Sequence, residues 1–139
     1  MILNHLNLTV TDVPAASAFL ATYFGLQPTG GNAGMAFLTD NAGFVLTLMK
    51  AGRTTEVRYP GSFHIGFFVD SRATVDAINR RLKDDGYDVA PPEQHHAYTF
   101  YVAAPGGFTA GELLLAALFV PLFAWIGFGF LTALAGFVR

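Results

Sequence analysis

Hydrophobic and polar residues alternate in the stretch HLNLTV, residues 5–10. In an extended chain successive side chains point to opposite sides, so His5, Asn7 and Thr9 share one face and three aliphatic residues share the other. We therefore predict a β-strand with one polar face and one apolar face, and the apolar face is suited to packing against a helix.

A helix is predicted directly after this strand, because apolar residues recur there at helical spacing. Asp12 is suited to the N-cap, Pro14 to the first turn, and Gly25 to the C-terminal stop. After a glycine-rich stretch, the segments MAFLTD and FVLTLM predict two strands around a turn at residues 40–43.

The second half of the chain repeats this order. HIGFFV, residues 64–69, alternates like the first strand, and a helical stripe of Val75, Ile78 and Leu82 follows it. The segments YDVAPP, AYTFYV and PGGFTA then predict further strands and turns. Self-similarity at about 60 residues indicates a duplicated β-α-β-β-β unit. The predicted division is residues 1–58 for the first module, 59–112 for the second, and 113–139 for a tail.

The tail departs from the strand pattern. Residues 113–138 include no charged residue and only Thr132 as a polar one. The stretch is longer than the roughly 20 apolar residues that span a bilayer. We predict an apolar helix here, and three roles stay open for it: a membrane anchor, a helix buried against the domain or in a dimer interface, and a segment foreign to the domain.

Composition excludes several classes of protein. The chain has no cysteine, which excludes disulfides, thiolate metal sites and a cysteine nucleophile. The net charge is −2 and basic residues form no cluster, so we expect no nucleic-acid partner. The first residues carry no basic leader, so we expect a cytoplasmic protein, tethered to a membrane if the tail is an anchor.

Two histidines hold equivalent positions in the duplicated unit, since His5 and His64 each open the first strand of a module. Neutral imidazole is a good ligand for iron, manganese, nickel or zinc. If the paired modules bring both rings to one point, a carboxylate from the second module would complete a two-histidine, one-carboxylate set. Such a set leaves coordination positions open for water or substrate.

The layout HLNLTVTDVPAASAFLATYFGL, FHIGFFVD and AYTFYVAAPGGFT, with a glutamate soon after, resembles the vicinal-oxygen-chelate superfamily over residues 1 to about 112. This superfamily includes glyoxalase I, extradiol dioxygenases, fosfomycin-resistance thiol transferases and bleomycin-resistance proteins. The resemblance implies an α+β fold in which paired β-α-β-β-β modules form a curved mixed sheet around a cavity, and it implies a homodimer. It also implies a divalent metal ligated by His5, His64 and Glu112, with Glu112 as the catalytic carboxylate.

Two positions depart from the pattern that the resemblance implies. The expected glutamate position is Gly111, and Glu112 comes one residue later. A shift of one residue moves a side chain to the other face of a sheet unless a β-bulge at Gly111 restores its phase. Thr47 stands where glyoxalase I enzymes carry another glutamate. A four-ligand glyoxalase site is therefore not expected, whereas a three-ligand site and a metal-free site both stay open.

A substrate pocket is predicted from polar and aromatic strand residues. Its predicted lining is Asn7, Thr47, Phe68, Tyr98, Phe100 and Tyr101. The leading hypothesis is a metal-dependent lyase, dioxygenase or thiol transferase that acts on a small oxygen-chelating substrate. The alternative is a metal-free small-molecule binding protein of the bleomycin-resistance type, which the displaced glutamate and the aromatic strands favour.

Overall fold

The computed structural model describes residues 3–54, 56–95 and 97–114, with the backbone alone for residues 112–114. Eight strands and two helices lie in these ranges. In chain order they are β1 His5–Val10, α1 Val13–Phe24, β2 Gln27–Asn32, β3 Met35–Thr39, β4 Val45–Lys50, β5 Ile65–Phe68, α2 Arg72–Asp84, β6 Glu93–Gln94, β7 Tyr98–Ala104 and β8 Phe108–Leu114.

The strands form two four-stranded sheets of the same topology. The first has the order β1-β4-β3-β2, with β1 and β4 parallel and the other pairs antiparallel. The second has the order β5-β8-β7-β6, with β5 and β8 parallel. The duplicated β-α-β-β-β unit and the α+β class are thus confirmed, and the predicted division at 58/59 falls in the connection between β4 and β5.

Local sequence signals set the helix ends. The Asp12 carboxylate accepts a hydrogen bond from the Ala15 N–H at 2.9 Å, which satisfies one of the free donors of the first turn of α1. Gly25 ends α1 in the left-handed region at φ 71°, where a side chain would be strained. Ser71 caps α2 by accepting from the Thr74 N–H at 3.1 Å.

One hydrophobic core joins the two modules. Leu8 and Leu48 from the first sheet, α1, and Val102 and Phe100 from the second sheet belong to a single cluster of buried side chains. Each sheet therefore has a helix-covered face that contributes to this core and an opposite face that we call the open face. Burial of this kind stabilises by about 25 cal/mol per Å² of apolar surface.

Contacts between the helices hold the modules together. The Tyr23 hydroxyl of α1 donates to the Asp85 carboxylate at 2.6 Å, and Arg81 of α2 donates to the Thr22 carbonyl at 3.1 Å. Burial, followed by the hydrogen bond to Asp85, raises the pKa of Tyr23 to about 12.

The predicted tail helix lies outside the described residues from 115 onward, and β8 continues through residues 113 and 114. Neither helix in the described part of the chain combines the length and the hydropathy needed to cross a membrane.

Candidate functional site: the two open faces

The alternation predicted for β1 is present in the structure. His5, Asn7 and Thr9 are exposed, whereas Leu8 and Val10 are buried. Because paired positions in a sheet share a face, the register extends this surface across the sheet. We call the resulting set the first open face, and it comprises His5, Asn7, Thr9, Phe37, Thr47 and Met49.

The second sheet presents an equivalent surface. Gly66, Gly111 and Tyr101 stand side by side on β5, β8 and β7. His64 immediately precedes β5, and its ring meets the Tyr101 ring edge-on with centroids 5.0 Å apart. Phe68 stands two residues after Gly66 and is 69% exposed. The second open face therefore comprises His64, Gly66, Phe68, Tyr101 and Gly111.

Both histidines have one ring nitrogen engaged. His5 Nδ1 lies 2.8 Å from Asn4 Oδ1, and His64 Nδ1 lies 3.1 Å from the Ser62 carbonyl oxygen. Since both partners are acceptors, each Nδ1 carries the proton in a neutral ring and each Nε2 keeps its lone pair. This arrangement is the one in which a histidine binds a metal or accepts a hydrogen bond through Nε2.

Comparison with known proteins identifies the family. The model of the Glyoxalase/Bleomycin resistance protein/Dioxygenase superfamily matches residues 2–110. The chain belongs to this superfamily. A relative from Pseudomonas aeruginosa, named as an uncharacterized protein, is 30% identical over 107 residues, covering 71% of this chain and 76% of the relative.

Solved structures agree with this assignment. A structure described as a possible glyoxalase from Bacillus cereus is 54% identical, with a TM-score of 0.75, covering 81% of this chain and 98% of that one. Lactoylglutathione lyase from Agrobacterium tumefaciens is 19% identical, with a TM-score of 0.65, covering 81% and 92%. The second likeness shows the fold alone. The vicinal-oxygen-chelate fold predicted for residues 1 to about 112 is thus confirmed.

The backbone pairing of position 112, where the sequence predicts a metal-binding carboxylate, is out of phase with the open face. Position 112 pairs with Phe67 on β5 and Phe100 on β7, and both belong to the helix-covered face. The pairing of β8 with β7 runs without a register shift from Ala104–Phe108 to Tyr98–Leu114. The bulge that would bring Glu112 into phase is therefore not part of this ladder, and its role as a ligand stays a prediction.

The position that is in phase, Gly111, has no room for a side chain. A Cβ built there would lie 2.6 Å from the Phe100 carbonyl oxygen and 2.9 Å from Cδ1 of Tyr101. The Tyr101 ring thus fills the space next to His64 where the superfamily pattern places a carboxylate. Within the described residues no three His, Asp or Glu side chains are grouped closely enough to hold a metal. That grouping does not take in the Glu112 side chain, so His5 and His64 are the two predicted ligands whose side chains the structure describes.

The six predicted pocket residues divide between the two kinds of face. Asn7 and Thr47 are register partners on the first open face, and Phe68 and Tyr101 lie on the second. Tyr98 and Phe100 lie on the helix-covered face instead. Phe100 is buried in the core. Tyr98 donates from its hydroxyl to Asp76 of α2 at 2.6 Å, which, ahead of burial, raises the pKa of Tyr98.

Tyr59 is a further residue near the first open face, and no sequence pattern indicated it. Its hydroxyl accepts from the Thr9 N–H and donates to the Thr9 carbonyl, each at 2.9 Å. The Tyr59 hydroxyl thereby satisfies two backbone groups of β1. Its ring stacks on the Phe63 ring, with the two centroids 4.4 Å apart. A contact across 50 residues leaves no local signal in the sequence.

Proposed function

We propose that this protein binds a small, flat apolar or aromatic molecule on its open faces without a three-ligand metal site. The observation that carries this proposal is the replacement of the carboxylate position by Gly111 and the Tyr101 ring. A surface with an aromatic wall and a glycine floor is suited to stacking against a ring. The paired Gly66 offers such a floor, since a Cβ there would meet nothing within 4 Å.

The distribution of exposed apolar side chains supports the same proposal. The large hydrophobic side chains exposed in the described chain are Leu3, Phe37, Met49, Phe68 and Tyr101. Four of these five lie on the open faces, whereas neighbours of three of them on the same strands are buried, namely Ala36, Leu38, Leu48, Phe100 and Val102. Concentrated apolar exposure of this kind marks a binding surface more often than scattered exposure does.

A homodimer would enclose the ligand. Both helix-covered faces supply one internal core, so the two open faces of a chain lie on its outside. A second copy placed against them would convert two exposed surfaces into one cleft and would bury Phe37, Met49 and Phe68. The ligand site then consists of residues from both chains, and dimerisation is a requirement for binding.

The test combines a ligand screen with variants of the second open face. Full-length protein is screened by thermal shift against planar aromatic compounds, because a ligand that binds the folded state raises the melting temperature. Phe68→Ala and Tyr101→Ala should reduce the shift, whereas Leu3→Ala, also large, apolar and 79% exposed, should not. Sedimentation velocity should show a dimer. A shift that is equal in all variants would contradict the proposal.

A second candidate is a metal-dependent enzyme, and one observation favours it. His5 and His64 both keep Nε2 available while Nδ1 is held by an oxygen acceptor, as in metal-bound histidines. A divalent iron, manganese, nickel or zinc ion held by these residues would act as a Lewis acid toward a substrate with two adjacent oxygens. The 54% identity to a possible glyoxalase from Bacillus cereus supports this second candidate.

A further inference from the structure

An apolar cleft lies between the two modules. It has a volume of about 310 Å³, and its walls include Leu6, Phe44 and Leu46 from the first module and Ile65 and Phe67 from the second. Several of these side chains are half-buried, so part of their apolar surface borders the cleft and not the core. The polar wall residue Asp40 already accepts hydrogen bonds from the Ala42 and Phe44 N–H groups.

The cleft continues toward the end of β5. A neighbouring cavity of about 400 Å³ shares Gly66 and Phe67 with it and extends to Phe68 and Val69. β8 runs parallel to β5, and its residue 113 pairs with Phe68. The chain therefore leaves the second sheet beside this extension of the cleft.

The sequence that follows β8 is apolar enough to occupy the cleft. Residues 115–138 carry no charged side chain, and Arg139 is the final residue. The segment is joined to the end of β8, which lies beside the extension of the cleft, so its effective concentration there is far above that of a separate partner. Transfer of apolar side chains from water into the cleft is favourable by about 25 cal/mol per Å².

We infer that residues 115–139 dock into the apolar cleft between the modules of their own chain. Apolar side chains of this segment cover Phe44, Ile65 and Phe67. The extension of the cleft includes Gly66 and Phe68 of the second open face, so the docked segment borders the proposed ligand site there. The experiments below report the position of the segment in the absence of ligand, so their outcome is separate from that of the ligand screen.

Cross-linking of the full chain tests the inference, and the absence of native cysteines makes the labelling specific. Ala42→Cys places a thiol on an exposed position of the cavity wall, and Ala124→Cys places one in the segment. The control pairs Ala124→Cys with Ala33→Cys, which is exposed at the opposite end of β3. The first and last residues of that five-residue strand are separated by roughly 13 Å at about 3.3 Å per residue.

A short bismaleimide should join the two introduced thiols of the Ala42→Cys/Ala124→Cys variant within a single chain, with a yield that does not depend on protein concentration. The control variant, Ala33→Cys/Ala124→Cys, should give little product. Equal yields from both variants, products that join two chains, or a yield abolished by added lipid vesicles would each overturn the inference. Products that join two chains would indicate docking in a second copy, and a yield abolished by vesicles would indicate insertion in a membrane.

A second measurement uses Trp125, the sole tryptophan of the chain, as a reporter of the segment. Phe44→Asp places a charge in the cleft and should red-shift Trp125 emission and increase its quenching by iodide. Ala33→Asp places the same charge at the exposed control position and should leave both readings unchanged. Circular dichroism identifies a variant that has not folded. A folded Phe44→Asp protein with unchanged Trp125 emission would overturn the inference.

Discussion

Gly111 and Gly66 are paired neighbours on β8 and β5, yet the structure predicts opposite responses when each is changed to alanine. Neither has a positive φ, so alanine is compatible with the backbone at both positions. A Cβ at Gly66 would meet nothing within 4 Å, whereas a Cβ at Gly111 would lie 2.6 Å from the Phe100 carbonyl oxygen. Steric overlap is therefore the difference between the two substitutions.

The expected size of the effect follows from these distances. Extra atoms forced into a packed site typically cost about 1–3 kcal/mol, and we expect Gly111→Ala to lie in this range. Gly66→Ala should change the free energy of unfolding by no more than about 0.5 kcal/mol, or should stabilise slightly by restricting the unfolded chain. Adding Tyr101→Ala to Gly111→Ala should recover part of the loss, because the ring contact at 2.9 Å is removed while the carbonyl contact remains.

Urea unfolding followed by far-ultraviolet circular dichroism measures these differences, provided that the m-value is the same in all variants. Equal stability of the Gly111→Ala and Gly66→Ala proteins would refute the reasoning. It would mean that the open face has room for a side chain at position 111, and hence for a carboxylate in phase with His64.

Three further predictions concern the fold. The pKa of Tyr23 is raised from 10.0 to about 12, so the wild-type protein should lose stability as the pH rises through this interval. Urea unfolding at several pH values measures this loss, and the Tyr23→Phe variant should not show it. Leu48→Ala should lower the free energy of unfolding by about 2–5 kcal/mol because Leu48 is fully buried. Met49 is exposed, so Met49→Ala should lower it by less than about 0.5 kcal/mol. Similar losses in the two variants would contradict the assigned faces. Asp12→Ala should cost about 1 kcal/mol in the same assay and Asp12→Asn much less, since asparagine also caps helices; equal losses would argue against the cap.

Most of the fold could be predicted from local patterns. Alternation at residues 5–10 gave the correct faces of β1, and Asp12 and Gly25 marked the ends of α1 as expected. These features depend on neighbours within a few residues, so the sequence alone contains the information. The apolar stripe of α2 is likewise a local signal, and Ser71 caps this helix by accepting from the Thr74 N–H.

The candidate site was less predictable because it depends on contacts between distant strands. Phe100 and Tyr101 were both assigned to the pocket, although consecutive strand residues point to opposite faces. The structure places Tyr101 on the open face and Phe100 in the core. The phase of Glu112 depended on whether β8 bulges at Gly111, and only the pairing with β7 answers that question. No spacing in the sequence indicates that the Tyr101 ring lies close to Gly111.

Metal binding by the purified full-length protein tests the central proposal most directly. Equilibrium dialysis against zinc, manganese, nickel or ferrous iron, followed by elemental analysis, gives the metal content per chain. The proposal predicts that wild-type protein retains no more metal than the His5→Ala/His64→Ala double variant or the His95→Ala control. Stoichiometric metal that is lost in His5→Ala, His64→Ala and Glu112→Ala, but kept in His95→Ala, would contradict it.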